Sequence, residues 1–400
     1  MQTQWTNALA AACLGLCLSV AQGPAIAEFQ SGSDGSDGAI VVNTDLTLDL
    51  PADGIFNVTT LTVAAGATLR FNRNPANTPV YILATGDISI AGSIDIRGLD
   101  GGSSIPYAGS GGPGGFDGGL PTIGATPASA GQGPGGGQPG NADDGSVCAG
   151  CGNYNGGLSC SGSANHGASY GSTLVLPLVG GSGGGGTTDR IIGGGGGGGA
   201  ILLASDTRVS ISGGINAAGG SAAGGINENY YGGHGSGGAI RIVAPEVLGT
   251  GVLDVAGGTI SGGYFAGQGR VRIDAINGAN HALEVWPPES LSIGALLYSF
   301  HPGGRPSLAI IEAAGTVIPE GRQSAVEVLL PFDASAEQNV VVQARNLVGT
   351  VPIEVVLIPR QGDRTSFSAE IDMGGADVAQ VIVPVTLPAN VLTEISAWVR

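Results

Sequence analysis

The sequence contains an internal repeat, whose clearest copy reads Ile201-Leu202-Leu203-Ala204, then Val209-Ser210-Ile211-Ser212-Gly213, then Ile215-Asn216-Ala217 and Gly219-Gly220. The same pattern begins at Tyr81 and again at Ile240, and partial copies stand at Leu61 and Val271. Each copy holds three alternating segments of three or four residues. Such segments are too short for helices and are typical of strands with one buried face.

One copy of the repeat cannot bury its apolar face alone. Stacking the copies, like strand upon like strand, buries a column of Ile, Leu and Val, and this predicts an all-β chain with a parallel, β-helix-like β-solenoid. Asp95, Asn216 and Asp254 occupy equivalent places in three copies, which predicts a polar row on the outside that Arg70 partly neutralises. Ordinary hairpins in a sandwich are the alternative, because alternation does not separate parallel from antiparallel pairing.

The composition is dominated by glycine, with 76 glycines in 400 residues and only 11% charged residues. All 14 basic residues are arginine, so a lysine Schiff base and a P-loop lysine are excluded. The net charge of −17 argues against nucleic acid or an anionic membrane as partner. A mean hydropathy of +0.26 disfavours general disorder, and the glycines lack the strict period of collagen.

A glycine-rich insertion occupies about residues 99–200 and ends in seven consecutive glycines, Gly193 to Gly199. Two arrangements are open for it. Glycine chains can lie side by side as extended threefold helices that bond to neighbouring backbones, or they can form a mobile loop at the edge of the solenoid. We expect a mixture, in which the runs beside the repeat copies are ordered and residues 121–140 are loose.

The composition changes near residue 290, where glycine becomes rarer. Trp286-Pro287-Pro288 is a stiff, extended stretch suited to a domain junction. We therefore place the solenoid at residues 28–285 and an immunoglobulin-like β-sandwich at 286–400. Its seven predicted strands are Leu308 to Ile311, Ala325 to Leu330, Val340 to Ala344, Ile353 to Ile358, Phe367 to Ile371, Val381 to Val385 and Ile395 to Val399.

The first 27 residues have the pattern of a secretory signal peptide. An apolar run from Ala8 to Val20 is followed by Gly23-Pro24 and by a small-residue cleavage site, which predicts cleavage after Ala27. No later stretch reaches 18 unbroken apolar residues, so no membrane span is expected. These features predict a secreted or cell-surface protein.

Three cysteines remain after the signal peptide, Cys148, Cys151 and Cys160, and in an oxidising compartment they favour one disulfide and one free thiol. With His166 they would instead supply four ligands for zinc. The acidic pairs Asp34 with Asp37 and Asp143 with Asp144 offer oxygen ligands for calcium, but they fit no calcium-binding motif, and solvated loop charge is the favoured account. We expect no resident cofactor.

Aromatic side chains in the glycine-rich part are candidates for ligand binding, because loop aromatics suit stacking on sugar rings or anchoring a protein partner. The partners expected are glycans or cell-envelope components, and the oligomeric state is left open. The alternative role of these aromatics is to cover the solenoid core. The candidates are Tyr107, Phe116, Tyr154, Tyr170, Tyr230, Tyr231, Tyr264 and Phe265.

One cluster suits catalysis, the segment 227–234, in which Glu228, Tyr231 and His234 stand close in sequence. β-Helix polysaccharide lyases use a basic side chain or a Tyr and His pair together with groups that neutralise a substrate carboxylate. The charge of −17 opposes an acidic substrate, and only Arg208 and Arg241 stand near in sequence. No G-x-S-x-G or H-E-x-x-H motif occurs.

The chain resembles a loose, largely uncharacterised group of glycine-rich bacterial exported proteins with β-helix-like repeats. The resemblance rests on the repeat, on the start Ser33 to Gly38, on the Gly-Gly-Ala-Ile phrases at Gly199 and Gly238, and on the sandwich-like tail. It implies a β-helical surface or secreted protein and no catalytic residue. The function expected is therefore structural or adhesive, without catalysis, and the alternative is a β-helix polysaccharide lyase.

Overall fold

The structure is a computed structural model, and it describes residues 29–140, 166–222, 232–260, 264–276, 282–295, 306–320, 326–347, 349–360 and 362–399. The described residues form strands and no α-helix, with one short 3-10 helix at Pro288–Ser290. The fold is therefore all-β, as the repeat predicts. In the described part, no helix is long and apolar enough to cross a membrane.

The strands before residue 295 belong to the repeat and its surroundings. They are β1 (Gly38–Val42), β2 (Leu46–Asp49), β3 (Ile55–Val63), β4 (Thr68–Asn72), β5 (Val80–Ala84), β6 (Ile88–Ile90), β7 (Ser93–Asp95), β8 (Ala200–Ser205), β9 (Arg208–Ile211), β10 (Gly214–Asn216), β11 (Ala239–Ala244), β12 (Glu246–Leu248), β13 (Val252–Asp254), β14 (Thr259–Ile260), β15 (Tyr264–Phe265), β16 (Arg270–Ala275), β17 (Glu284–Trp286) and β18 (Leu291–Gly294).

Two curled parallel sheets contain all of these strands except the small antiparallel pair β14 and β15. The first sheet has the order β12-β9-β6-β3-β5-β8-β11-β16-β18, with β1 beside β3, and the second has the order β17-β13-β10-β7-β4-β2. The first strand of each repeat copy pairs with the first strand of the next, in parallel, and the second and third strands do likewise. The predicted parallel stacking of like strands is confirmed for the described strands of the three repeat copies, which are not paired as antiparallel hairpins.

The core between the sheets follows from the alternation in each short strand, whose alternate residues point to opposite faces. Inward-facing residues in register form continuous apolar ladders within one buried cluster. Examples of these ladders are Ile82-Leu203-Ile242-Ile273, Ile88-Val209-Val247 and Ile94-Ile215-Leu253.

The first sheet is also covered on its outer face near β8 and β11, whose residues are all buried. Leu202 and Val243 of this outer face pack in one cluster with Tyr170, Val175 and Leu178, which belong to the long insertion. The insertion thus returns across the outside of the sheet. This explains why β8 and β11 are buried throughout, while burial alternates along β6 and β9.

The C-terminal part consists of two antiparallel sheets. Its strands are β19 (Ser307–Ala313), β20 (Thr316–Val317), β21 (Glu337–Arg345), β22 (Thr350–Pro359), β23 (Thr365–Asp372), β24 (Val378–Thr386) and β25 (Thr393–Val399). The four-stranded sheet has the order β20-β19-β21-β24, and the three-stranded sheet has the order β23-β22-β25. Six of the seven predicted strands are found at their predicted places.

The prediction of a strand at Ala325 to Leu330 is wrong for its described residues, 326–330, which join no sheet. Leu329 and Phe332 nearby are 93% and 99% exposed, although their types favour a sheet. Alternation identifies a segment able to form a strand, but a strand also needs a free sheet edge beside it. In this chain the short strand β20 occupies the edge next to β19 instead.

Candidate functional site

Extended glycine-rich segments connect the ends of the parallel strands, and we call them the glycine arms. Three arms leave the third strand of a repeat copy, and three lead into the first strand of the next. The arms that leave are residues 96–102 after β7, 217–222 after β10 and 255–258 after β13. The arms that return are 193–199 before β8, 232–238 before β11 and 266–269 before β16.

The central arm, residues 193–199, donates its amide protons in three directions. Amides three residues apart donate to the same neighbouring segment, at nitrogen-to-oxygen distances of 2.7–3.0 Å. This period of three is that of the polyproline II helix, which has no internal hydrogen bonds. Gly193, Gly196 and Gly199 donate to the carbonyls of Gly102, Leu99 and Ile96, respectively. Gly194 and Gly197 donate to the carbonyls of Gly119 and Phe116, and Gly195 and Gly198 donate to those of Gly233 and Ser236.

The carbonyl oxygens of the central arm accept hydrogen bonds from three further segments. The amides of Gly109 and Gly112 donate to the carbonyls of Gly194 and Gly197, respectively. Those of Gly184 and Gly181 donate to Gly195 and Gly198, and that of Gly220 donates to Gly196. Six segments therefore surround the central arm and are bonded to it through backbone atoms alone. We call this arrangement the glycine lattice. It is the side-by-side packing of threefold helices that the sequence left open.

The central arm of the lattice has no space for side chains. At each position from Gly193 to Gly199, a Cβ atom would come within 3.0 Å of a backbone atom of a neighbouring segment, and that atom is a carbonyl oxygen every time. Separation by even one methyl group would break the backbone hydrogen bonds between segments. The seven consecutive glycines are thus required by close backbone approach.

His234 lies inside the lattice, on the arm that leads into β11, and it is 0% exposed. Its Nδ1 accepts a hydrogen bond from the Ala222 amide at 2.9 Å, so the proton of the neutral ring is on Nε2. Burial lowers the pKa of His234 to about 4. A neutral, buried imidazole cannot meet a substrate from solvent. Glu228 and Tyr231, its predicted companions, lie outside the described residues.

Both arginines near this cluster in sequence are engaged in ion pairs. Arg208 contacts Asp87 at 2.6 Å on the surface, and Arg241 is buried with Asp274 at 3.4 Å on the outer face of the first sheet. They are therefore already neutralised by carboxylates of the protein.

The predicted aromatic candidates do not share one surface. Tyr170 is buried, and its hydroxyl donates to the Gly180 carbonyl at 2.7 Å and accepts from Ser182 Oγ at 2.9 Å. Phe116 packs edge-on against the Trp398 ring, with centroids 4.8 Å apart, and Tyr107 is half-buried. Tyr154, Tyr230 and Tyr231 lie outside the described residues, and Tyr264 and Phe265 form β15, whose side chains are not described.

The candidate metal ligands are only partly described. Cys148, Cys151 and Cys160 lie outside the described residues, and so do Asp143 and Asp144. His166 is exposed, with Nδ1 3.2 Å from the Gly167 carbonyl oxygen. Among the residues described, no group of three His, Cys, Asp or Glu side chains is arranged to hold a metal ion.

Asp34 and Asp37 each bind a backbone amide. Asp34 Oδ1 accepts from the Ser36 amide at 2.9 Å, and the hydrogen bonds to Ser36 hold the pKa of Asp34 below its usual value. Asp37 Oδ2 accepts from the Asn57 amide at 2.6 Å. Both carboxylates therefore have a local structural role at the start of the parallel sheets.

The predicted polar row is present on the outer face of the second sheet. Asp95, Asn216 and Asp254 are aligned in register on adjacent strands, and Arg70 precedes Asp95 with Nε 3.5 Å from its Oδ2. In each of the three, Oδ1 accepts from the amide two residues further on, at 2.9–3.3 Å. The row therefore shapes the turns at which the chain leaves the sheet for the glycine arms.

Sequence reasoning missed the residue at the end of this row. Trp286 lies beside Asp254 in register, on the edge strand β17, and is 61% exposed. Its position before two prolines suggested only a domain junction. The repeat itself is the signal that would have found it, because Glu284-Val285-Trp286 is a further third-strand segment.

The C-terminal sheets pack on residues 116–138 of the insertion. The Arg364 guanidinium donates to the carbonyls of Gly136 and Pro134 at 2.8 and 2.9 Å. Gln138 Oε1 accepts a hydrogen bond from the Arg364 backbone amide, and Gln138 Nε2 donates to the Arg364 carbonyl. The expectation that residues 121–140 are loose is therefore wrong for residues 134–138, which are held by Arg364, the residue before β23.

The chain was also compared with known proteins. No protein-family model, no curated protein and no solved structure matches it.

Proposed function

We propose that this chain is an exported structural or adhesive protein of the cell exterior. In this proposal a β-solenoid with polyglycine arms forms the N-terminal body, and an immunoglobulin-like β-sandwich follows it. The partners are glycans or other cell-envelope components, and the chain has no catalytic role.

The solenoid interpretation is supported by the strand order. Three successive copies run through a strand of the first sheet, a second strand of the same sheet and a strand of the second sheet, and each is in parallel register with the next. Repetition of one such turn along an axis is the definition of a solenoid coil.

The sandwich interpretation is supported by a shared core. Val340 and Val342 of the four-stranded sheet belong to the same buried cluster as Val355 and Leu357 of the three-stranded sheet. Two antiparallel sheets that bury their facing side chains against each other have the architecture of a sandwich.

The observation that carries the functional proposal is the glycine lattice. A body made of backbone hydrogen bonds is rigid and offers few side chains for chemistry, and the one histidine described in it is buried and neutral. Such a body is suited to holding surfaces in fixed positions, as a scaffold or an adhesin does. The predicted signal peptide supports the same location.

A binding and turnover assay on one preparation tests the proposal. Purified, fluorescently labelled residues 28–400 are incubated with isolated cell envelopes and with insoluble polysaccharides, and retention after washing is measured. The same preparation is incubated with polyuronates, and unsaturated lyase products are followed by ultraviolet absorbance. We expect retention without product formation. Product formation that is lost in a His234→Asn variant would favour the lyase instead.

A further inference from the structure

The outer face of the second sheet carries a flat, ordered arrangement of side chains around Trp286. Residues two apart on one strand point to the same face, so Val252 and Asp254 lie together, as do Glu284 and Trp286. Ser93, Gly214 and Val252 are aligned in register and form a low floor beside the row Asp95, Asn216 and Asp254. Trp286 stands at one end of this row, beside Asp254, and Glu284 stands at the end of the floor, beside Val252.

The row retains hydrogen-bonding atoms that the protein does not use. Asp254 and Asn216 each employ Oδ1 for the turn that follows, at 2.9 and 3.0 Å. Within the described structure, Asp254 Oδ2 and Asn216 Nδ2 have no protein partner. The site therefore offers a carboxylate acceptor and an amide donor next to an exposed indole ring.

This combination fits a sugar polymer. The indole provides a flat apolar surface for the face of a pyranose ring, while hydroxyl groups need both acceptors and donors at its edge. Neighbouring rungs of the row are about 4.8 Å apart, so Asp95 to Trp286 spans about 14 Å. This length accommodates several linked sugars.

Charge restricts the polymer to a neutral one. The chain carries a net charge of −17, and Asp254 and Glu284 flank Trp286 on the face. The two arginines beside the row are already paired, Arg70 with Asp45 and Asp95, and Arg97 with Asp95. A polyuronate or a sulfated glycan would meet uncompensated repulsion here.

We propose that Trp286, Asp254 and Asn216 form a binding site for a neutral polysaccharide, whose chain lies across the strands of the second sheet. The site rests on the proposed adhesive function and gives it a ligand class. The ring of Trp286 stacks on one sugar, Asp254 Oδ2 accepts from a hydroxyl and Asn216 Nδ2 donates to one. The turn hydrogen bonds fix the side chains of Asp254 and Asn216 before the ligand arrives.

Tryptophan fluorescence gives a direct readout. With the predicted signal removed, only Trp286 and Trp398 remain, and Trp398 is packed against Phe116. Residues 28–400 are titrated with cellohexaose, chitohexaose, mannohexaose and maltohexaose, and in parallel are sedimented with the corresponding insoluble polymers. We expect a blue shift and saturable binding with at least one of these, and none with polygalacturonate.

Variants then locate the site. Trp286→Ala should weaken binding at least tenfold, and Asp254→Asn should weaken it about threefold to tenfold, because Asn keeps the turn bond and loses the acceptor. Phe332→Ala is the matched control: it removes a 99% exposed aromatic from the C-terminal part and should not change binding. Circular dichroism and the unfolding midpoint of each variant confirm that the fold is intact, and Trp286→Tyr should keep part of the affinity.

The outcomes separate the two proposals. If the unmodified chain binds none of these glycans, or if Trp286→Ala binds as well as the unmodified chain, the site is wrong. In either case, retention on cell envelopes would leave the adhesive function standing. If the unmodified chain also fails to bind envelopes, both proposals fail.

Discussion

The parallel sheets and the glycine lattice are two kinds of interior in one chain. In the sheets, Ile242 and its aligned neighbours fill the space between backbones, and an inner strand such as β11 bonds to two others. In the lattice, the central arm bonds to six segments, and a Cβ added at any of its positions would overlap a neighbouring carbonyl oxygen. Ordering glycine costs about 0.5–1 kcal/mol per residue relative to alanine, and the lattice offsets this by satisfying nearly every buried backbone group.

Tolerance to mutation therefore depends on whether side chains or backbones fill the interior. A side-chain core adapts to the loss of a methyl group by small shifts. A backbone lattice cannot adapt to an added methyl group, because the contacting atoms are fixed by their own hydrogen bonds. Four measurements test this difference in tolerance, and the first of them has the largest expected effect.

Gly197→Ala should destabilise the protein by about 3 kcal/mol or more, since its Cβ would overlap the Gly181 carbonyl. The free energy of unfolding is measured by denaturant titration. Gly214→Ala serves as control, because the nearest atom to its Cβ is the Val252 oxygen at 3.0 Å and the neighbourhood is otherwise open. Equal losses in the two variants would contradict the lattice.

Stability should fall in acid because of His234. Its folded pKa is about 4, below the usual 6.5, so the unfolded chain binds the proton more tightly. The stabilising contribution is therefore complete above about pH 6.5 and decreases as the pH falls towards 4, by about 3 kcal/mol in total. His234→Asn keeps an acceptor for the Ala222 amide and should flatten unfolding free energy against pH between 6.5 and 4. If unfolding free energy depends on pH in the same way in the variant, His234 is not the cause of the loss of stability in acid.

Arg364→Ala should cost about 2 kcal/mol, because two carbonyls of the insertion lose a charged donor. It should also expose residues 121–140 to limited proteolysis, mapped by mass spectrometry. Arg360, an exposed arginine on the neighbouring strand end, provides the control. New cleavage in both variants, or in neither, would argue against Arg364 as the group that holds the segment.

Ile242→Val should have the smallest effect, about 1 kcal/mol, by removing one methylene from the side-chain core. The same denaturant titration measures it. Its comparison with Gly197→Ala is the sharpest, because one variant removes a carbon and the other adds one. A larger loss of stability for Ile242→Val than for Gly197→Ala would mean that the side-chain core tolerates mutation less well than the lattice.

Short sequence patterns predicted the features that depend only on neighbouring residues. The repeat copies gave the three strands of each coil, and the recurrence of Asp95, Asn216 and Asp254 gave the polar row. The role of the row in the turns and the exposure of Trp286 were not predicted. Both depend on which face of the sheet remains uncovered, and this is set by segments far away in sequence.

The errors have the same origin. Residues 121–140 are rich in glycine and proline and read as loose, yet contacts with residues more than 200 positions away order them. His234 read as a candidate base because its neighbours in sequence are polar. In the structure its neighbours are glycine arms, which remove it from water.

Periodicity is a local property, so the sequence alone was enough to predict the all-β class and the stacking of like strands. The direction of strand pairing, the need for glycine at positions 193–199, the exposed aromatic ring and the packing of the C-terminal sheets depend on distant segments, and only the folded structure shows them. Glycine has no side chain to specify a partner. Its neighbours are therefore selected by the surrounding strands, which bring six backbone segments within hydrogen-bonding distance of the central arm.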